Sequence, residues 1–166
     1  MQRSFALLAL LASLIASLAL STTAIAQQKR TTMGLESARK MAAACEQYAR
    51  KEGWNMVIAV VDSGGELKHF SRMDNSFRAS IEIAQLKANT SSGFPFSTRQ
   101  VGEVAQQRVP GIVHVPGIVT FAGGLPIITA AGEHIGAIGV SGGTADQDEV
   151  CAQAGLDAVK SELNLK

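Results

Sequence analysis

The sequence predicts a three-layer α/β/α sandwich built on a mainly antiparallel, five-stranded sheet. The first observation is the run Phe121 to Glu149, FAGGLPIITAAGEHIGAIGVSGGTADQDE, where short apolar segments alternate with glycine turns. Turns at Gly123-Gly124 and Gly132-Glu133 fold such segments back on themselves, because glycine supplies the positive φ that hairpins need. The second is that these segments are apolar on both faces: Ile127, Thr129 and Ala131 against Ile128 and Ala130, then Ile135 and Ala137 against Ile138 and Val140. A sheet of that kind must be covered by helices on both sides. The third is that helix-period segments flank the strand segments, while tight turns keep the strands antiparallel and argue against a doubly wound parallel sheet.

Taken in order, residues 27–34 form a polar leader, with Thr32 or Gly34 as the cap of the first helix. From Leu35 to Glu52 the apolar positions Leu35, Ala38, Met41, Ala42, Cys45, Tyr48 and Ala49 recur at helical spacing, and Gly53 stops the run. Val57 to Val61 is β-branched and continuous, Asp62-Ser63-Gly64-Gly65 is a turn, and Glu66 to Ser71 returns as the second strand. Arg78 to Ser92 reads as a second helix and Thr98 to Gln107 as a short polar one. The segment Val109 to Gly117 holds two Pro-Gly pairs, which predicts an ordered loop. It leads into strand Ile118 to Phe121, the first of a three-stranded meander. Thr144 with Gln147 three residues on is a capping-box signature for a last helix over Ala145 to Leu163. The architecture resembles the profilin-like fold.

Residues 1–26 carry a basic Arg3, an apolar run from Phe5 to Leu20 and a small-x-small site at Ala24-Ile25-Ala26, the pattern of a secretory signal peptide. Residues 27–166 are then a single domain in a periplasmic or secreted protein, with no membrane segment after cleavage. Formal charge is +1 and the cations are spread among acids without a basic run, which disfavours nucleic acid as a partner. Aromatic residues make up only 5% of the chain, against stacking platforms. Cys45 and Cys151 are expected as two buried free thiols, since buried cysteine behaves as a small hydrophobe. If the first and last helices pack through their small faces, however, the two become neighbours able to form a disulfide.

Candidate chemistry is sparse. The glycine bend before the last helix lacks a Walker lysine and GxGxxG spacing, and Asp146, Asp148 and Glu149 already place negative charge in its first turn, so it reads as turn and cap. Ser141 in GVSGG is not a GxSxG elbow, which argues against a hydrolase. None of His69, His114 and His134 sits in a spaced metal motif. His114, between two Pro-Gly pairs, is the best placed to line a cavity and ligate a metal; Met73 and Tyr48 are further candidates as axial ligands to iron. Arg72, Arg78 and Lys87 form a cationic set that either is solvated surface or holds a carboxylate, since arginine grips carboxylates through a bidentate fork.

The glycine stretch, together with LESARKMAAAC, VVDSGGEL, the Arg72-Met73-Asp74 triplet and K-A-x-T at Lys87 to Thr90, resembles the GlcG/HbpS-like family of small haem-binding or ligand-binding proteins. The chain departs from the usual pattern at Asn75, Ser76 and Ser91. The resemblance implies an α/β/α sandwich that assembles into homo-oligomers and in several members binds haem noncovalently. It also implies a link to haem capture or redox sensing with a membrane sensor, and a relation to domains found beside corrinoid or glycolate metabolism. On that reading Arg72, Arg78 and Lys87 hold the haem propionates and His114 the iron. The alternatives are an enzyme or accessory protein that binds a small organic carboxylate, and an oligomeric interaction module.

Overall fold

The computed structural model describes residues 31–166; the signal-peptide reading of residues 1–26 lies outside the described residues. The elements are α1 (Leu35–Glu52), β1 (Val57–Asp62), β2 (Leu67–Arg72), α2 (Ser80–Gly93), α3 (Thr98–Gln107), a 3-10 turn (Pro110–His114), β3 (Gly124–Ile128), β4 (His134–Ser141) and α4 (Ala145–Leu163). The sheet runs in the order β2-β1-β4-β3 and every pairing is antiparallel.

Alternation along β1 sends its side chains into two separate cores. Ile58 and Val60 join Ile138 and Val140 of β4 beneath α1 and α4, while Val57, Ala59 and Val61 face Ala84 and Ala88 of α2 together with Ala137. The sheet is thus covered on both sides, as its two-sided apolar strands require. Helix α2 lies close on the sheet because Gly139 offers no side chain beneath it: a Cβ there would meet the Ala84 carbonyl oxygen at 2.1 Å and the Ala88 nitrogen at 2.4 Å.

Four strands form where five were expected. Ile118 to Phe121 is not a strand: the Ile118 N–H turns back to the Val115 carbonyl (3.2 Å) and the Val119 N–H donates to Thr90 Oγ1 (3.0 Å), while the Thr90 hydroxyl donates to the preceding Gly117 carbonyl (3.3 Å). The three-stranded meander is accordingly a β3–β4 hairpin. The expected capping box at Thr144 and Gln147 is present at α4, and a second, Ser97 with Gln100, opens α3.

The expectation of two free thiols is overturned. Cys45 and Cys151 form a disulfide between α1 and α4, with Cα atoms 4.8 Å apart. The close approach comes from small residues, with Ala38, Ala42, Ala152 and Gly155 all buried where the helices meet.

The β1–β2 turn is organised by Asp62, whose Oδ1 accepts from the N–H groups of Gly64 (2.8 Å) and Glu66 (3.1 Å), with Lys68 3.4 Å from Oδ2. Partial burial pushes this carboxyl up, but the two N–H groups and Lys68 outweigh it and hold it below the usual aspartate range. A carboxylate depressed in the folded state stabilises above its unfolded pKa, and that stability is lost as pH falls through the folded value. Asp62→Asn is therefore expected to lose roughly 1 kcal/mol near neutrality and less in acid, below the unfolded aspartate value. Urea unfolding of both proteins at neutral and acid pH checks this; an equal loss at both would show that the charge contributes nothing.

Candidate functional site

Lys87, in the middle of α2, turns inward and is fully buried. Its Nζ donates to Asp148 Oδ2 at 2.6 Å and to the Val140 carbonyl at 3.0 Å. Asp148 sits in the first turn of α4, 3% exposed, and its Oδ1 accepts the Gly143 N–H at 2.9 Å. Burial pushes the Lys87 ammonium down and the Asp148 charge opposes it; burial likewise pushes Asp148 up, opposed by Lys87 and by the N–H groups of Gly143 and Gly142. The K-A-x-T signature thereby acquires a physical meaning. Lys87 ties α2 to the end of β4 and the start of α4, and Thr90, one turn on, pins the Gly117–Val119 segment.

On the outer side of this pair, the Lys87 Nζ lies 4.8 Å from the centre of the Phe121 ring. Phe121 is 48% exposed and borders a groove of about 300 Å³ whose other walls include Arg99, Gln106, Thr120 and Ala145. Arg99 is engaged there by Asp146 at 2.5 Å and Glu149 at 3.0 Å, which ties α3 to the first turn of α4.

Another face of α3 lines a second cavity of about 230 Å³ bounded by Phe94, Phe96, Val101, Val104, Val109 and Ile112, entirely by apolar residues. Around it the chain leaves Phe96, Val109, Val113 and Val115 exposed, and the 3-10 turn buries none of its residues. So much exposed apolar surface on one short segment makes it a candidate binding face.

The four residues expected to act together are placed differently. His114 ends the 3-10 turn beside the apolar cavity's Ile112, exposed and without a hydrogen bond or ion pair. Arg78 is exposed just before α2, and Arg72, exposed at the end of β2, reaches only the Ser76 hydroxyl at 3.4 Å. Both arginines precede α2, while Phe94 of the cavity follows it. The 14-residue helix separates them by about 21 Å. Lys87 needs correction: its ammonium is buried against Asp148 and is not presented to solvent as a propionate grip. Met73 belongs to the core under α1, with its sulfur accepting the Met56 N–H at 3.4 Å, and Tyr48 stacks obliquely on Trp54. His69 is on β2 and half-buried, and His134 opens β4.

Sequence reasoning missed the apolar cavity and Arg108, the exposed cation that ends α3 next to Val109. The missed signal was the density of valine, isoleucine and phenylalanine between Phe94 and Val115, in a stretch with too many prolines and glycines to be a core strand. Among the described residues no three histidine, cysteine or acidic side chains gather to hold a metal ion, and no helix is long and apolar enough to cross a membrane.

Residues 33–157 match the model of a family described as haem degrading protein HbpS-like. GlcG of Escherichia coli is 34% identical over 112 residues, 68% of this chain and 83% of GlcG. Among solved structures, a double mutant of Streptomyces reticuli HbpS superposes with a TM-score of 0.74 at 33% identity, covering 79% of this chain and 89% of that one. A structure described as the PduOC:heme complex gives 0.73 at 26% identity, covering 82% of this chain and 98% of that one.

Proposed function

This chain belongs to the HbpS-like family, and from that premise we propose that it is a noncovalent haem-binding protein, exported to the periplasm or secreted. The observation that carries the reading is the wholly apolar cavity of Phe94, Phe96, Val101, Val104, Val109 and Ile112, next to an exposed imidazole on the same 3-10 turn. A porphyrin needs an apolar surface for its ring, an imidazole for axial ligation and cations for its propionates. The cavity and its exposed valine rim offer the first, His114 the second, and Arg108 stands at their edge. The haem complex of the PduOC relative supports the same reading. Arg72 and Arg78, at the other end of α2, hold a propionate in this scheme only across an interface between copies, which the proposed homo-oligomer supplies. Export follows from the leader pattern of residues 1–26, and a membrane sensor is a proposed partner.

Titration of the mature protein with haemin is expected to give a shifted, saturable Soret band. His114→Ala is expected to alter that band and weaken binding about tenfold, some 1.4 kcal/mol. A Soret band indistinguishable from free haemin removes the function; an unchanged spectrum in His114→Ala removes the ligand assignment alone.

A further inference from the structure

A lysine buried at 0% exposure is an expensive structural device, since a well-packed apolar residue in its place is often as stable or more so. Three observations bear on the space around the Lys87 amine. Its Nζ is held on two sides by Asp148 Oδ2 and the Val140 carbonyl, leaving its remaining side toward the Phe121 ring. Gly123 (φ +119°) makes room for the amine itself, because a Cβ there would stand 2.6 Å from Nζ. Finally, Phe121 itself is half exposed and borders the groove lined by Arg99, Gln106, Thr120 and Ala145. A single aromatic ring therefore touches both the buried amine and an open cleft. It lies on a segment with no ladder partner.

We propose that Lys87 is a reactive amine, gated by Phe121, that forms a Schiff base with a small aldehyde or ketone entering through this groove. The step balances without an oxidant or reductant. The ammonium passes one proton across the 2.6 Å contact to the Asp148 carboxylate, giving an amine and a carboxylic acid. The nitrogen lone pair then attacks the carbonyl carbon, forming the C–N bond as the carbonyl π pair moves to oxygen, which takes up the ammonium's second proton. The carbinolamine hydroxyl leaves as water with the proton from Asp148, and the C=N bond forms. The product is a protonated imine beside the regenerated carboxylate. Desolvation favours the neutral amine that starts the sequence, as it does for other lysine nucleophiles. The inference is independent of haem binding.

The test is reductive trapping of the mature protein with acetaldehyde and cyanoborohydride at about pH 8, followed by peptide mapping. The expected result is N-ethylation of Lys87 at least roughly tenfold faster than of the exposed Lys51, because an ordinary exposed amine is almost wholly protonated there. Phe121→Ala, a change at a half-exposed position, is expected to accelerate labelling at Lys87 and leave Lys51 unchanged. Lys87 labelled only after denaturation, in both proteins, overturns the proposal. Equal Lys87 labelling rates in wild type and Phe121→Ala overturn it as well, since the ring would then not control access.

Discussion

Lys87→Met is expected to destabilise the fold by about 3–5 kcal/mol, because it leaves the Asp148 carboxylate buried without its cation. The pair sits where α2, β4 and the first turn of α4 meet, and those elements hold the orphaned acid in place. Asp148→Leu alone is expected to be comparably harmful, stranding an ammonium with one carbonyl acceptor. The double variant Lys87→Met/Asp148→Leu is expected to recover most of the loss, since replacing both charges removes the desolvation cost along with the attraction. Urea unfolding of the four proteins gives the coupling energy directly. Single-variant losses that simply add in the double variant would show that the two side chains do not act as a unit.

Removing the Cys45–Cys151 disulfide carries the second large effect. The bond closes a loop across a sequence separation of 106, for which the chain-entropy relation gives about 4.7 kcal/mol. The Cys45→Ala/Cys151→Ala variant is expected to melt about 10–15 °C lower than the parent, the shift that follows for a domain of this length. The variant is a cleaner test than a reductant because both cysteines are fully buried. An unchanged melting temperature, with two free thiols titrated per denatured parent chain, would show that the bond does not form in solution.

Most of the fold was legible from local pattern. The bounds of α1, from its periodic run, and of α3 and α4 are those the sequence predicts, and the Asp62–Gly65 and Gly132–Glu133 turns lie where the glycines placed them. What local pattern missed was decided by distant partners. Ile118 to Phe121 has strand composition, but Thr90 on α2 takes the Val119 N–H and Val115 takes that of Ile118. The cysteines are joined because two small helix faces lie together, a juxtaposition that the sequence shows only as a condition. At the candidate site, the cationic set dissolved for the same reason. Lys87 and Arg78 are on or next to one helix, yet one turns into the sheet and the other remains in solvent, and no residue-type count distinguishes them. The K-A-x-T spacing was visible as a motif, but its acid, Asp148, lies on another element. His114 was singled out for its Pro-Gly flanks, whereas the apolar cavity next to it is assembled from α3 and the residues either side of it.

The strand order also bears on how quickly the domain can be made. Each outer pair, β1–β2 and β3–β4, is a local hairpin, but the central ladder from Val57↔Ser141 to Asp62↔Gly136 joins strands from opposite ends of the domain. Hairpins close in microseconds, while a ladder between remote segments must first overcome the entropy of the long loop between them. The slow event in folding is then the meeting of two preformed hairpins along β1 and β4. Early oxidation of Cys45 and Cys151 would shorten that search by tethering the helices that flank the same two strands.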